Sequence, residues 1–282
     1  LIVQEACMMP NNWRSQGTLD EFMSERGIVG IQHVDTRAIT KKIRSKGIMK
    51  GRIMKNEPTE ADFEALKKIE CHEPVQQVTC KSKYSVAGCG IKIAVLDFGM
   101  KQSILSALIK RESDITVYPA NTQVEEILAD GCKGAVLSNG PGDPQDNPQI
   151  IKMVKELMDR LPVFGICLGH QLMALAQGAD TEKLDYGHRG SNHPVKDLKR
   201  NRVFITAQNH GYTVVADSIP SGAEISHINM NDGTVEGIRY TSHKAFSVQF
   251  HPEGSAGPTD TGFLFTDFLN MCESEAEKNA QE

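Results

Sequence analysis

Apolar residues recur in two rhythms along this chain, and the rhythm changes partway. Residues 28–34, Ile-Val-Gly-Ile-Gln-His-Val, read as a strand. Asp35 then stands where a helix cap is expected, with Ala38, Ile39 and Ile43 on one face and Gly47 as the stop. Thr59-Glu-Ala-Asp62 has the look of a capping box for a second helix that carries Phe63, Leu66 and Ile69. Residues 81–90 are small and polar, like a linker. Beyond them strands and helices alternate. Residues 91–96, 114–118 and Gly134–Leu137 read as strands. Ile104, Leu105, Leu108 and Ile109 mark one helix, and Val124–Ala129 a second. Asn147-Pro148 opens a third, with Ile150, Ile151, Val154, Leu157, Met158 and Leu161 inward. Val163, Phe164 and Ile166 form a further strand, and Leu168, Leu172, Leu175 and Ala176 return to helical spacing before Gly178. From Lys183 the pattern is irregular, with strands expected at 202–206, 234–240 and 245–250 and a polar tail at 272–282.

Such alternation predicts an α/β fold with a mostly parallel, doubly wound sheet covered on both faces. A smaller α+β domain precedes it, which places the domains at 1–88 and 89–282. The smaller domain carries no catalytic constellation and reads as structural or docking in role. Leu1 already lies in a strand-like run, so this domain is expected to be truncated at its start. In a doubly wound sheet, ligands bind beyond the carboxyl ends of the strands. Two stretches with chemical character fall there, 138–144 and 165–171.

The second of these is Gly165-Ile-Cys-Leu-Gly169, a G-x-C-x-G strand-to-helix turn of the nucleophile-elbow kind. The turn is tight enough that a Cβ at either glycine would crowd it. Cys167 would sit at a helix N-terminus, where unpaired N–H groups favour a thiolate. Gln171, four residues on, shares its helical face. Taken alone the motif is also compatible with a buried structural cysteine.

Composition narrows the classes. The chain has 282 residues, 39% hydrophobic and 24% charged, with a net charge of −5, which makes no electrostatic case for nucleic acid. A basic run from Lys41 to Arg52 reads as a solvated helix face. No apolar run reaches membrane-spanning length, and no signal peptide is visible. The 7 cysteines are scattered without a C-x-x-C pair, which suits a reducing cytoplasm and argues against a disulfide framework or structural zinc.

A cysteine nucleophile needs a base, a group to orient that base, and donors for a tetrahedral oxyanion. The strand at 245–250 runs into His251-Pro-Glu253. His251 can serve as base, with Glu253 holding its tautomer. A lone strand-end histidine is more often structural, and His33, His72, His227 and His243 are read that way. Ser138-Asn-Gly-Pro-Gly-Asp-Pro144 is a rigid turn whose Gly140 N–H, with that of Leu168, can form an oxyanion hole. A phosphate-cradling loop is a weaker reading, since no Gly-Lys-Ser/Thr follows and prolines remove donors.

Taken together, Gly165-Ile-Cys-Leu-Gly-His-Gln171 and His251-Pro-Glu253 resemble the class I (triad) glutamine amidotransferases. Within that class, residues 139–144, Gly187-His-Arg-Gly-Ser-Asn-His-Pro194 and Gln208-Asn-His-Gly-Tyr212 are similar to the carbamoyl-phosphate synthetase small-subunit family. So is Gly30-Ile-Gln-His-Val-Asp-Thr-Arg-Ala-Ile-Thr40, in a domain other amidotransferases lack. The resemblance covers essentially the whole chain.

The resemblance implies a glutaminase in which Cys167 attacks the glutamine side-chain amide, His251 shuttles protons and Glu253 orients it. It places oxyanion donors at Gly140 and Leu168, and the glutamine pocket at Gly140, Gly142, Leu168, Gln171, Asn209, Gly211 and Tyr212. It implies no metal or other cofactor on this chain, ATP and Mg being used by the partner. That partner would be a large synthetase subunit, reached by ammonia through a channel and making carbamoyl phosphate for arginine or pyrimidine synthesis. A glutamine-holding serine of the family would precede Leu1, which leaves the completeness of the glutamine site open. The competing readings are a glutaminase feeding another synthase, a freestanding cysteine hydrolase, and a catalytically silent regulatory partner.

Overall fold

A computed structural model describes all residues except 14, 48, 71 and 280–282. By its contacts the chain divides into two compact units, Leu1–Cys71 and His72–Glu282.

In the first unit, helix α1 (Leu19–Glu25) starts on a reciprocal capping box between Thr18 and Glu21. Helix α2 (Thr36–Lys46) starts on Asp35, whose carboxylate accepts from the Ala38 N–H, and stops at Gly47 with φ 77°. Helix α3 (Glu60–Lys67) starts on a capping box between Thr59 and Asp62. The two expected helices are therefore present, but their apolar faces are not buried. Ile39 and Ile43 are 36% and 43% exposed, and Phe63 48%. The strand expected at 28–34 is reduced to a single bridge between Ile2 and Ile31. A strand needs a partner ladder, and among the described residues of this unit only that one pairing is made.

The second unit opens with helix α4 (Pro74–Val78), followed by strand β1 (Tyr84–Val86) and strand β2 (Lys92–Asp97). Then come α5 (Gln102–Ile109), β3 (Asp114–Pro119), α6 (Val124–Ala129), β4 (Gly134–Leu137), α7 (Pro148–Arg160), β5 (Val163–Ile166) and α8 (Leu168–Ala176). The remainder is β6 (Thr181–Asp197), β7 (Arg202–Val214), β8 (Ala223–Asn229), β9 (Val235–Tyr240), β10 (Ala245–Val248) and α9 (Phe263–Asn279). The strands form one sheet in the order β1-β3-β2-β4-β5-β10-β9-β8-β6-β7.

That sheet corrects the expected topology. Neighbours are parallel from β3 through β2, β4 and β5 to β10, but antiparallel at β1–β3 and throughout β10-β9-β8-β6-β7. The sheet is mixed rather than mostly parallel. Parallel strands need crossover helices, and helices stop intervening after α8. From there successive strands fold back directly. β6 was not expected because it is polar and only partly buried, and its register shifts twice against β7, which breaks the alternation a strand reading relies on. β1 arises inside the stretch read as a linker, by pairing with the edge of β3.

Alternation along the central strands builds a core on each face of the sheet. Ala94 and Leu96 of β2 face one apolar cluster with α7 and α8, while Ile93 and Val95 face another with α5 and α9. In the second cluster Phe164 stacks on Phe246 at 4.6 Å and meets Phe265 edge-on at 5.6 Å. Fully burying a side chain of this size stabilises by about 1.5–3 kcal/mol. The parallel strands are thereby locked, and their carboxyl ends become a rigid rim.

Candidate active site

Four strand ends meet on that rim. After β5 the chain turns at Cys167, whose φ of 54° and ψ of −102° are unusual for a residue with a Cβ. Strain of this kind persists only where the surroundings over-determine the backbone. Here the Cys167 N–H donates to the Val248 carbonyl at 2.9 Å, and Gly169 N–H to the Ser138 carbonyl at 3.1 Å. The glycines of the turn are needed sterically. A Cβ on Gly165 would lie 2.8 Å from the Gly169 backbone, and one on Gly169 would strike the Leu137 carbonyl oxygen. The result presents a nearly buried thiol, 4% exposed, at the first turn of α8.

β10 is the parallel neighbour of β5, so His251 and Glu253 emerge beside Cys167. The His251 N–H donates to the Ala207 carbonyl at 2.9 Å, which fixes its backbone. Its Nδ1 lies 2.8 Å from Glu253 Oε1, and Cys167 stands close enough to its side chain to favour the protonated ring. With Nδ1 held by the carboxylate, Nε2 is the nitrogen left for the sulfur. Burial works against the imidazolium, but Cys167 and Glu253 outweigh it and push His251 up to about 10. Burial likewise opposes the Glu253 carboxylate, yet His251 and then Lys101 hold it below its ordinary range. Lys101 Nζ donates to the same Oε1 at 2.8 Å. The sequence reading missed Lys101. Its signal was only its place in the loop after β2, another strand end on the same rim.

The loop after β4 is stitched to the loop after β2. Ser138 Oγ accepts from the Phe98 N–H at 2.9 Å, and Asn139 Oδ1 from the Lys101 N–H at 2.9 Å. Gly140 lies against Phe98 and Leu168. A Cβ there would strike the Phe98 carbonyl oxygen and lie 2.6 Å from Leu168 Cδ2. Leu168 is the first residue of α8, so its N–H has no acceptor within the helix. Gly142, with φ 94°, packs on Pro74.

The long hairpin β6–β7 brings up the remaining residues. Gln171 Nε2 donates to the Tyr212 carbonyl at 3.0 Å and to Gln249 Oε1 at 2.9 Å. Burial, then the Asp143 carboxylate, push the Tyr212 hydroxyl up to about 12. Asn209 is exposed and Gly211 half-buried on the same strand. The structure thus brings Cys167, His251 and Glu253 into one chain of contacts. It sets Gly140 against Leu168 and ties Gln171 to Tyr212.

Among the described residues, His188, His210 and Glu236 offer metal-ligand atoms within 4.8 Å of one another. Their polar atoms are largely taken. His188 pairs with Asp232 at 2.7 Å and Glu236 at 3.4 Å, His210 with the Tyr212 carbonyl at 2.8 Å, and Glu236 Oε1 accepts from Asn229 at 2.9 Å. The group reads as polar support for the hairpin. A cleft of about 890 Å³ lies at the opposite end of the strands, around Lys244, Ala245 and Phe246. It includes none of the three residues in the contact chain. Volume and chemistry part company here, and the chemistry follows the strand ends. His227 and His243, read as structural, lie beside that cleft, His227 buried near Asp197 and His243 bonded to Asp159 at 3.1 Å.

Comparison with known proteins points the same way. A family model described as Glutamine amidotransferase class-I matches residues 94–271, and one described as Carbamoyl-phosphate synthase small chain, CPSase domain, matches residues 1–53. The carbamoyl phosphate synthase small chain of Bacillus caldolyticus is 50% identical over 274 residues, covering 96% of this chain and 75% of that one. The chain belongs to the carbamoyl-phosphate synthase small-chain family. Another member, the pyrimidine-specific small chain of Bacillus subtilis, is 48% identical over 276 residues, covering 97% of this chain and 76% of its own. The crystal structure of a putative GMP synthase protein from Thermoplasma acidophilum superposes with a TM-score of 0.61 at 23% identity. It covers 68% of this chain and 98% of that one, and it supports the fold alone. No helix among the described residues is long and apolar enough to cross a membrane.

Proposed function

We propose that this small chain hydrolyses glutamine at Cys167 and passes the ammonia to a large synthetase chain. His251 holds the thiol proton as imidazolium while the sulfur attacks the carboxamide carbon, and the oxyanion forms against the N–H groups of Gly140 and Leu168. Collapse breaks the C–N bond. His251 returns the proton to the leaving nitrogen, so ammonia departs and a γ-glutamyl thioester remains. Water, deprotonated by the same imidazole, then releases glutamate and restores the thiol. Glu253 acts through His251, holding Nδ1 so that Nε2 faces the sulfur, and Lys101 neutralises the carboxylate from behind. No step calls for a metal or an organic cofactor.

Gln171, Gly142, Asn209, Gly211 and Tyr212 form the glutamine pocket in this reading. The large chain, which uses ATP and Mg to activate bicarbonate, receives ammonia through a channel, and residues 1–88 serve its docking. A reducing cytoplasm suits the thiol chemistry, and all six described cysteines are free. The observation that carries the reading is the contact chain Cys167–His251–Glu253 at a strained strand-to-helix turn. Cys167→Ser tests it in the assembly with the large chain. Glutamine-dependent synthesis should fall by at least about 10³-fold, as when a nucleophile is removed from a triad, while synthesis from free ammonia persists. Undiminished glutamine hydrolysis would sink the reading.

A further inference from the structure

Gln249 is fully buried beneath the site, and the chemistry above gives it no task. We propose that Gln249 is a positioning residue: it locks the Gln171 carboxamide so that Gln171 offers the substrate an acceptor and no donor. The proposal rests on the reading that Gln171 lines the glutamine pocket.

The polarity follows from the partners. A peptide carbonyl only accepts, so the Gln171 atom 3.0 Å from the Tyr212 oxygen is the amide nitrogen. The second hydrogen of that nitrogen goes to Gln249 Oε1 at 2.9 Å. Were Gln249 turned over, two amide nitrogens would face each other. Gln249 Nε2 has no acceptor among the described residues, so no other contact selects its orientation. The two bonds run to different elements, one to the β6–β7 hairpin and one to the end of β10. They fix the plane of the Gln171 amide against both, and the Gln249 N–H is itself held by the Glu236 carbonyl at 2.9 Å. No donor among the described residues reaches Gln171 Oε1, which is left for a ligand.

What that oxygen meets follows from distance. The reacting carboxamide must come within about 3–3.5 Å of the sulfur. Gln171 is one helical turn beyond Cys167, about 6 Å along the axis, so its acceptor faces the amino-acid end of the substrate. At that end the α-ammonium can donate and the α-carboxylate cannot. An acceptor-only amide therefore selects the ammonium.

The test compares Gln249→Met, which keeps length and removes the acceptor, with Gln249→Glu, which keeps an acceptor oxygen. Gln171→Leu serves as reference. Each full chain, assembled with the large chain, is assayed on glutamine and on 4-carbamoylbutanoate, which lacks only the α-amino group. Gln249→Met should raise the KM for glutamine about fivefold to tenfold, the effect of one neutral hydrogen bond, with kcat little changed. The KM for the deaminated analogue should hold, so the preference for glutamine shrinks by the same factor. Gln249→Glu should restore most of it. Alkylation of Cys167 at the wild-type rate would show that the site is still formed. An unchanged glutamine KM in Gln249→Met, or an equal loss on both substrates, would overturn the proposal. If Gln171→Leu raises the KM but Gln249→Met does not, this proposal alone fails. If Gln171→Leu has no effect, the pocket reading fails and takes the proposal with it.

Discussion

In the unit Leu1–Cys71, α2 is capped by Asp35 and stopped at Gly47, yet no described residue of the unit is buried. In the unit His72–Glu282, α8 has no side-chain cap, yet it is buried along almost its whole length. The first helix is specified by its ends and the second by what packs around it. Caps and periodicity are local and satisfy backbone groups wherever they occur. Burial is collective and needs apolar faces from several elements at once. Only the second unit assembles them. Cys167, at φ 54° and ψ −102°, is held there inside that packing, as strain of this kind requires. The chemistry follows the packing.

The sharpest break of that comparison is steric. Gly140→Val in the second unit would drive a side chain into the Phe98 carbonyl and the Leu168 side chain, displacing the proposed oxyanion donor. Losing one such donor costs about 2.7–4 kcal/mol, or about 10²–10³ in kcat. Steady-state glutamine hydrolysis checks this, and a kcat within about threefold of wild type would exclude a loss on that scale.

Next comes the contrast in packing. Phe164→Ala removes a fully buried ring and should cost about 3–5 kcal/mol in urea unfolding. Phe63→Ala removes a ring that is 48% exposed and should stay within about 0.5 kcal/mol. Comparable losses would show that the first unit buries more than its exposures indicate.

The remaining contrast is in pH. Burial first of all holds His170 and His210 down to about 3 and His227 to about 4, so the folded chain keeps them neutral. Unfolded, each returns to about 6.5 and binds a proton on the acid side. Their contribution is fully present above about 6.5 and is lost as pH falls toward the folded values, by about 1.4 kcal/mol per pH unit per histidine. His188 has the opposite sign. The Glu236 carboxylate, then Asp232, outweigh burial and push it up to about 8. Its contribution is full below about 6.5 and lost as pH rises through about 8. Stability measured against pH should therefore peak near neutrality, and His227→Gln should flatten the acid limb.

The legible parts of the molecule are those whose cause is close in sequence. Asp35, Thr59 and the two glycines around Cys167 each act within a few residues, and each could be read directly. Thr18 with Glu21 was equally readable as a capping box and went unread. The parts that stayed hidden depend on distant partners. Lys101 is 152 residues from the carboxylate it binds, and Gln171 is 78 from Gln249. β6 and β7 pair through two register shifts, so neither shows clean alternation. The expectation of a mostly parallel sheet failed for the same reason. β–α alternation reports parallel strands locally and is silent about the antiparallel half that follows α8.

The central claim is that Cys167, activated by His251 and Glu253, forms a covalent bond to glutamine. Mass spectrometry of the acid-quenched chain during turnover with glutamine measures it directly. The account predicts a γ-glutamyl adduct on the peptide that contains Cys167, absent in Cys167→Ser and discharged when turnover is allowed to finish. An adduct on another residue, or steady glutamine hydrolysis by Cys167→Ser, would contradict it.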